Sequence, residues 1–279
     1  MGLNEELVGK EYEVSTFEVT ADRIDRNARA TNDLNERYIS GGDDVVAPPV
    51  FPVVAAFGAF MSAAMDPELE ADLLRLVHGA EEHVLHRPIK PGDVLTVSPV
   101  LESVEKKDSG ETFTAKANLT DAGGELVAEV RGTMFIRGSG SGAKSAGTTE
   151  EGPREIVYEE ATKVDDDQMF RYAEASGDPN PIHVDATTAQ MAGLPGIICH
   201  GMCTMAIATK AAVNGLAGGD PTRIKRVGVR LSKPVLPGQE LTTKLWKEAD
   251  RDGAVVYGFE TYNQDGQAVI KQGVVEVAS

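Results

Sequence analysis

The sequence predicts an α+β protein assembled from two related copies of one unit, and three observations predict it. Landmarks of the first half recur in the second at a nearly constant spacing. Each half carries one Ala-rich apolar run of the length of a buried helix. Each run is followed by short segments that alternate polar and apolar side chains between turn-forming clusters.

The landmarks are specific. Pro88-Ile89-Lys90-Pro91-Gly92-Asp93 matches Pro234-Val235-Leu236-Pro237-Gly238-Gln239 at an offset of 146 (238 − 92). Ala30-Thr31-Asn32-Asp33-Leu34-Asn35 matches Ala175-Ser176-Gly177-Asp178-Pro179-Asn180 at an offset of 145 (178 − 33). Ala47-Pro48-Pro49-Val50-Phe51-Pro52 precedes the apolar run Val53 to Met65, much as Leu194-Pro195-Gly196 precedes Cys203 to Val213. The second run lacks Gly and Pro until Gly215, so it reads as a buried helix starting near His200-Gly201. After Gly92 come candidate strands 95–104, 112–119 and 126–136, separated by Lys107-Asp108-Ser109-Gly110 and Asp121-Ala122-Gly123-Gly124. The second half repeats them over 241–248, 255–263 and 268–277, with turns at Asp250-Arg251-Asp252-Gly253 and Gln264-Asp265-Gly266. Ser- and Gly-rich composition between the halves marks a flexible linker, placed at 138–154 between units 1–137 and 155–279.

The chemistry is concentrated in Ser176-Gly177-Asp178-Pro179-Asn180-Pro181-Ile182-His183. Each proline fixes its own φ and drives its predecessor out of the helical region, so Asp178, Asn180 and His183 are expected on a rigid turn. A carboxylate beside an imidazole suits proton transfer near neutral pH. The same residues also make an ordinary Asx-type turn. Downstream, Pro195-Gly196-Ile197-Ile198-Cys199-His200-Gly201-Met202 opens the apolar helix. A helix start offers free N–H groups that can polarise an oxygen gaining negative charge, and Gly201 lets a ligand approach that backbone.

Together these two motifs resemble the MaoC-like (R)-specific enoyl-CoA hydratases and 3-hydroxyacyl-thioester dehydratases. The resemblance rests on residues 155–279 and departs at Cys199, where small residues such as Ala are usual. It implies a double hot-dog fold, in which two fused units each wrap an antiparallel sheet around a long central helix. It further implies a catalytic pair Asp178 and His183, a supporting Asn180, and a Gly201 amide for the thioester oxygen. A water bridging Asp178 and His183 would add across the polarised double bond, or leave it in the reverse dehydration. No cofactor is implied.

The first half reads as a degraded copy. Tyr38 stands where His183 does, Leu34 and Glu36 replace the two prolines, and Val53 or Val54 is expected where His200-Gly201 would be. Its expected role is to line the acyl pocket, through Phe51 and Phe57 together with Val53, Val54 and Phe60, although apolar side chains are more often plain core. The formal charge of −17, from 27 basic and 44 acidic residues, excludes nucleic acid and anionic membranes as partners. A coenzyme A or acyl-carrier-protein thioester is itself anionic, so local cations are needed to receive it. Candidates are Arg230 and Lys233 with Arg223, Lys225 and Arg226, and Arg87 and Lys90 in the equivalent strand of the first half; each is equally a candidate solvated position. The two cysteines, Cys199 and Cys203, stand beside His200 without a further ligand set, so no metal is expected. The absence of a signal-like start or a membrane-length apolar run leads to a cytoplasmic expectation. One fused chain already supplies a pseudo-dimer, and a homodimer of such chains is left open. Two other functions fit the same fold: acyl-CoA thioesterase, and non-catalytic partner subunit of a dehydratase complex.

Overall fold

A computed structural model describes residues 2–39, 44–73, 75–107, 110–138 and 154–279. The first half contributes β1 (Ser15–Glu18), α1 (Ala21–Ala30), α2 (Glu36–Ile39), α3 (Pro52–Ala64), β2 (Leu76–Leu85), β3 (Val94–Lys107), β4 (Gly110–Thr120) and β5 (Leu126–Arg137). The second contributes β6 (Ile156–Lys163), α4 (Gln168–Ser176), α5 (Ala186–Met191), α6 (Gly201–Leu216), β7 (Ile224–Leu231), β8 (Glu240–Arg251), β9 (Ala254–Asn263) and β10 (Ala268–Ala278). One antiparallel sheet holds all ten strands in the order β1-β3-β4-β5-β2-β7-β10-β9-β8-β6. β2 and β7 form the seam, with Ala80 opposite Arg230 and Val84 opposite Arg226. This is the double hot-dog arrangement: α3 packs on β3, β4 and β5, and α6 on β6, β7, β8 and β10.

Burial explains the two central helices. α3 buries Val53, Val54, Ala56, Ala59, Phe60 and Ala63, and α6 buries every residue from Met202 to Thr209. Such helices are held by packing rather than by propensity. The strands that cover them alternate, as in β4, where Phe113, Ala115, Ala117 and Leu119 face inward and are fully buried.

The duplication seen in the landmarks is present in the hydrogen bonds. In the first half the Val19 amide donates to the Asp93 carbonyl at 2.8 Å, and Gly92 donates back to Val19 at 2.8 Å. In the second, Val164 donates to Gln239 at 2.8 Å and Gly238 to Val164 at 2.9 Å. Gly92 and Gly238 both take positive φ, +92° and +77°, which is why glycine closes both turns. A cross-strand threonine pair recurs as well: Thr114 with Thr133 and Thr243 with Thr261, each 2.9 Å between hydroxyl oxygens.

Several expectations need correction. β2 ends at Leu85, so Arg87 and Lys90 lie in the loop beyond it and not in a strand. α3 starts at Pro52, so Val53 and Val54 lie inside its first turn. Each half also has two strands beyond the three-stranded meander, one at the edge (β1, β6) and one at the seam (β2, β7). Most of the linker 138–154, and Asp108 and Ser109 of one turn, lie outside the described residues. Among the described residues no helix is long and apolar enough to cross a membrane.

Candidate active site

α4 ends at Gly177, whose φ of +73° caps the helix in the left-handed conformation while its N–H donates to the Ala173 carbonyl at 3.1 Å. The chain reverses there and delivers Asp178. The Asn180 backbone N–H donates to Asp178 Oδ1 at 3.0 Å, and Asn180 Oδ1 accepts from the Ile182 N–H at 3.3 Å. Asn180 is exposed, so its side chain braces the turn while its amide orients the carboxylate. Pro181–His183 then forms a single 3₁₀ turn with Pro181 at its first position, so His183 sits at the end of a short helix and not on an extended turn.

His183 is 7% exposed, and its Nδ1 lies 2.8 Å from the Ile198 carbonyl. A carbonyl only accepts, so Nδ1 carries the hydrogen and Nε2 is left with the lone pair. The Ile198 loop is itself tied down: Ile198 donates to Ile182 at 3.3 Å and Cys199 to Val235 at 2.8 Å. Two residues later α6 begins, with His200 as N-cap residue and Gly201 as its first helical residue. Helix geometry leaves the first-turn amides, Gly201's among them, without an intrahelical acceptor. A Cβ at Gly201 would meet the end of the Leu231 side chain, which would have to shift to admit it.

His200 is the residue whose part the motifs did not disclose. It is 1% exposed, and its ring stacks on His183 with centroids 3.7 Å apart and planes at 25°. Tyr172 of α4 also lies against it, tilted by 51° with 4.9 Å between centroids. The Asp178 carboxylate and one nitrogen from each of the two histidines all fall within 4.8 Å of one another. Two nearly parallel stacked rings direct their in-plane lone pairs alongside rather than toward a common point, so the trio suits proton transfer better than metal binding. Burial holds both histidines below their ordinary pKa. For His183 the Ile198 contact and the Asp178 charge pull the other way without reversing it. His200 is pushed down to about 3 by burial and then by neighbouring His183.

The other predicted site residues are dispersed. Phe51 is fully buried and meets Phe17 edge-on at 6.2 Å, which makes it core. Phe57 does line open space, a groove of about 410 Å³ shared with Phe17, Arg23, Val54, Ser176 and Gly177. The groove lies between α1, α3 and the end of α4, so it reaches the residue before Asp178. Arg23 stands at this groove with its guanidinium 4.6 Å from the Phe17 ring centroid. Arg87 is held by Asp93 at 2.9 Å and Asp121 at 3.4 Å. Lys90 and Lys233 are exposed in loops, and Arg230, next to inward-facing Leu231, turns to the outer face of β7. Arg226 pairs with Glu82 and Arg223 holds the Ala278 carbonyl, which are structural duties. Cys199 and Cys203 are buried free thiols.

The first half repeats the hydrogen bonds of this turn with Tyr38 in the place of His183. The Asn35 amide donates to Asp33 Oδ1 at 3.3 Å, Asn35 Oδ1 accepts from Arg37 at 2.9 Å, and Tyr38 donates to the Asn35 carbonyl at 2.9 Å. The last bond mirrors His183 on Asn180 at 3.1 Å. At the helix start, however, Pro52 has no N–H to offer.

Comparison with known proteins follows the same division into halves. The family described as MaoC like domain matches residues 148–267, and the FAS1-like dehydratase domain region matches residues 6–130. The chain is 33% identical over 245 residues to 3-hydroxyacyl-thioester dehydratase Y of Mycobacterium tuberculosis, covering 83% of this chain and 79% of that protein. It is 29% identical over 265 residues to peroxisomal multifunctional enzyme type 2 of Mus musculus, covering 91% of this chain and only 35% of that longer protein. Among solved structures, a MaoC-like dehydratase from Phytophthora capsici superposes with a TM-score of 0.86 at 24% identity, over 100% of this chain and 98% of that one.

Proposed function

The chain belongs to the MaoC-like dehydratase family of hydro-lyases, and on that premise we propose that it interconverts trans-2-enoyl thioesters and (R)-3-hydroxyacyl thioesters. The observation that carries this reading is the clustering of the Asp178 carboxylate and the His183 imidazole within 4.8 Å, beside the open first-turn amides of α6.

The thioester oxygen accepts a hydrogen bond from the Gly201 N–H, which draws electron density from the double bond and leaves the β-carbon electrophilic. A water between Asp178 and His183 bonds through its oxygen to that carbon and gives a proton to the pair. The displaced π electrons pass toward the α-carbon and the polarised carbonyl. The pair then returns a proton to the α-carbon, so no charge accumulates. Because Nδ1 of His183 is engaged with Ile198, its Nε2 is the nitrogen available to the water. The groove beside Ser176 and Gly177 suits the acyl chain, with Phe57 and Val54 of the first half along it. The substrate carrier is coenzyme A or acyl carrier protein, and Arg230, Lys233 and Lys90 are exposed cations available to its phosphates.

Crotonyl-CoA tests the assignment directly. Loss of enone absorbance with formation of the 3-hydroxyacyl thioester is expected. Release of free thiol without hydration would mark a thioesterase and remove the proposal.

A further inference from the structure

We propose that His200 is a positioning residue, whose ring clamps His183 and the Asp178 loop in register with the Gly201 amide. The proposal rests on the hydratase reading and adds to it a residue that neither the motif nor the dyad accounts for.

One side chain meets every part of the site. Its face stacks on His183 at 3.7 Å, and its Nε2 lies 3.4 Å from the Asp178 backbone carbonyl. Its own carbonyl accepts from the Thr204 amide at 3.1 Å and the Thr204 hydroxyl at 3.2 Å, which locks the peptide that presents the Gly201 N–H. Tyr172 packs against the same ring, 4.9 Å between centroids. Displacing this ring would therefore free His183 and the Asp178 loop at once, while the backbone bonds from Thr204 keep the Gly201 peptide in place. Misplacement of this kind is registered in turnover more than in binding.

The hydrogen-bond pattern also fixes the form of the ring. Nε2 faces a carbonyl and must carry the hydrogen, so Nδ1 bears the lone pair, and that atom is buried without a partner among the described residues. A protonated ring would bury an unpaired N–H at that position, against a neighbouring imidazole that itself must gain a proton during the reaction. The groups facing His200 are His183, Asp178 and Tyr172; only Asp178 is an anion, and it offers its backbone carbonyl rather than its carboxylate. His200 thus stays neutral while His183 cycles, and the stacked pair carries one positive charge at most.

His200→Ala and His200→Phe separate the clamp from a merely structural role. Phe keeps a flat ring against His183; Ala removes it. For His200→Ala, turnover of crotonyl-CoA should fall by about a hundredfold, with KM nearly unchanged. His200→Phe should recover most of that loss. Wild-type rates in both variants, or a loss confined to KM, would overturn the clamp. An activity-independent reading uses nitrogen-15 NMR of the imidazoles. The His183 Nδ1–H tautomer should be single and ordered in wild type and His200→Phe, and averaged in His200→Ala. An unchanged His183 signal in His200→Ala sinks the clamp whatever the assay shows, whereas an ordered site with no hydration of any enoyl thioester sinks the proposed function instead.

Discussion

Burial conditions the two histidines before any substrate arrives, and it does so at a cost that pH can reveal. Both rings have folded-state pKa values below their ordinary one, His200 at about 3. As pH falls through about 6.5 the unfolded chain takes up protons that the folded chain refuses, so stability should drop over that range. Each fully neutral ring contributes a slope of about 1.4 kcal/mol per pH unit, which for His200 continues down to its folded value. Urea unfolding at pH 7, 6 and 5 measures this, and a His200→Phe chain should lose that ring's share of the slope. In the assay, Asp178→Asn and His183→Ala should each lower turnover by at least about a hundredfold while the unfolding midpoint at pH 7 stays close to wild type. Full activity in either variant would withdraw the assignment of the pair.

Elements place these residues, and the two helix starts show how. Both halves build the same Asx-braced turn before the helix, yet the first presents Tyr38 and Pro52 where the second presents His183 and Gly201. The Tyr38 hydroxyl is buried without a partner among the described residues. Tyr38→Phe should therefore leave activity unchanged and raise stability by up to about 1 kcal/mol, by removing an unpaired polar group; a collapse in rate would give the first half a direct chemical role. At the groove, Phe57→Trp should shorten the preferred acyl chain, lowering kcat/KM for long enoyl thioesters about tenfold relative to crotonyl-CoA. An unaltered chain-length profile would remove the groove from the substrate path. What the sequence discloses here follows the range of the interactions. The turn from Asp178 to His183 is legible because prolines and Asx contacts act within a few residues, and the apolar runs are legible because burial is written into composition. The seam strand β2 is harder, since Leu76-Val77-His78-Gly79-Ala80-Glu81-Glu82-His83 carries charged side chains on its inner face and a register shift between His78 and Ala80. The stack of His200 on His183 and the capture of Arg87 by Asp93 and Asp121 depend on tertiary folding, so no local pattern announces them.

For the whole molecule the seam is decisive, because the halves share one sheet through β2 and β7. Glu81 is buried there with both carboxylate oxygens engaged, by His78 at 2.8 Å and by fully buried His83 at 2.9 Å. Burial alone would raise its pKa, but the two imidazoles outweigh burial and hold the carboxyl below its usual value. Its contribution is present above the unfolded carboxyl value and is lost as pH falls through the folded one. Glu81→Gln should cost about 1–3 kcal/mol, the usual scale for disturbing buried hydrogen bonds to a charged group, and calorimetry of the full chain would register it. A cost near zero would mean that the seam is held by strand pairing alone. Pro52 has a different kind of consequence. Restoring an imidazole at position 38 would still leave Pro52, which has no amide hydrogen, at the start of α3, so that single replacement would not reproduce the second half's site.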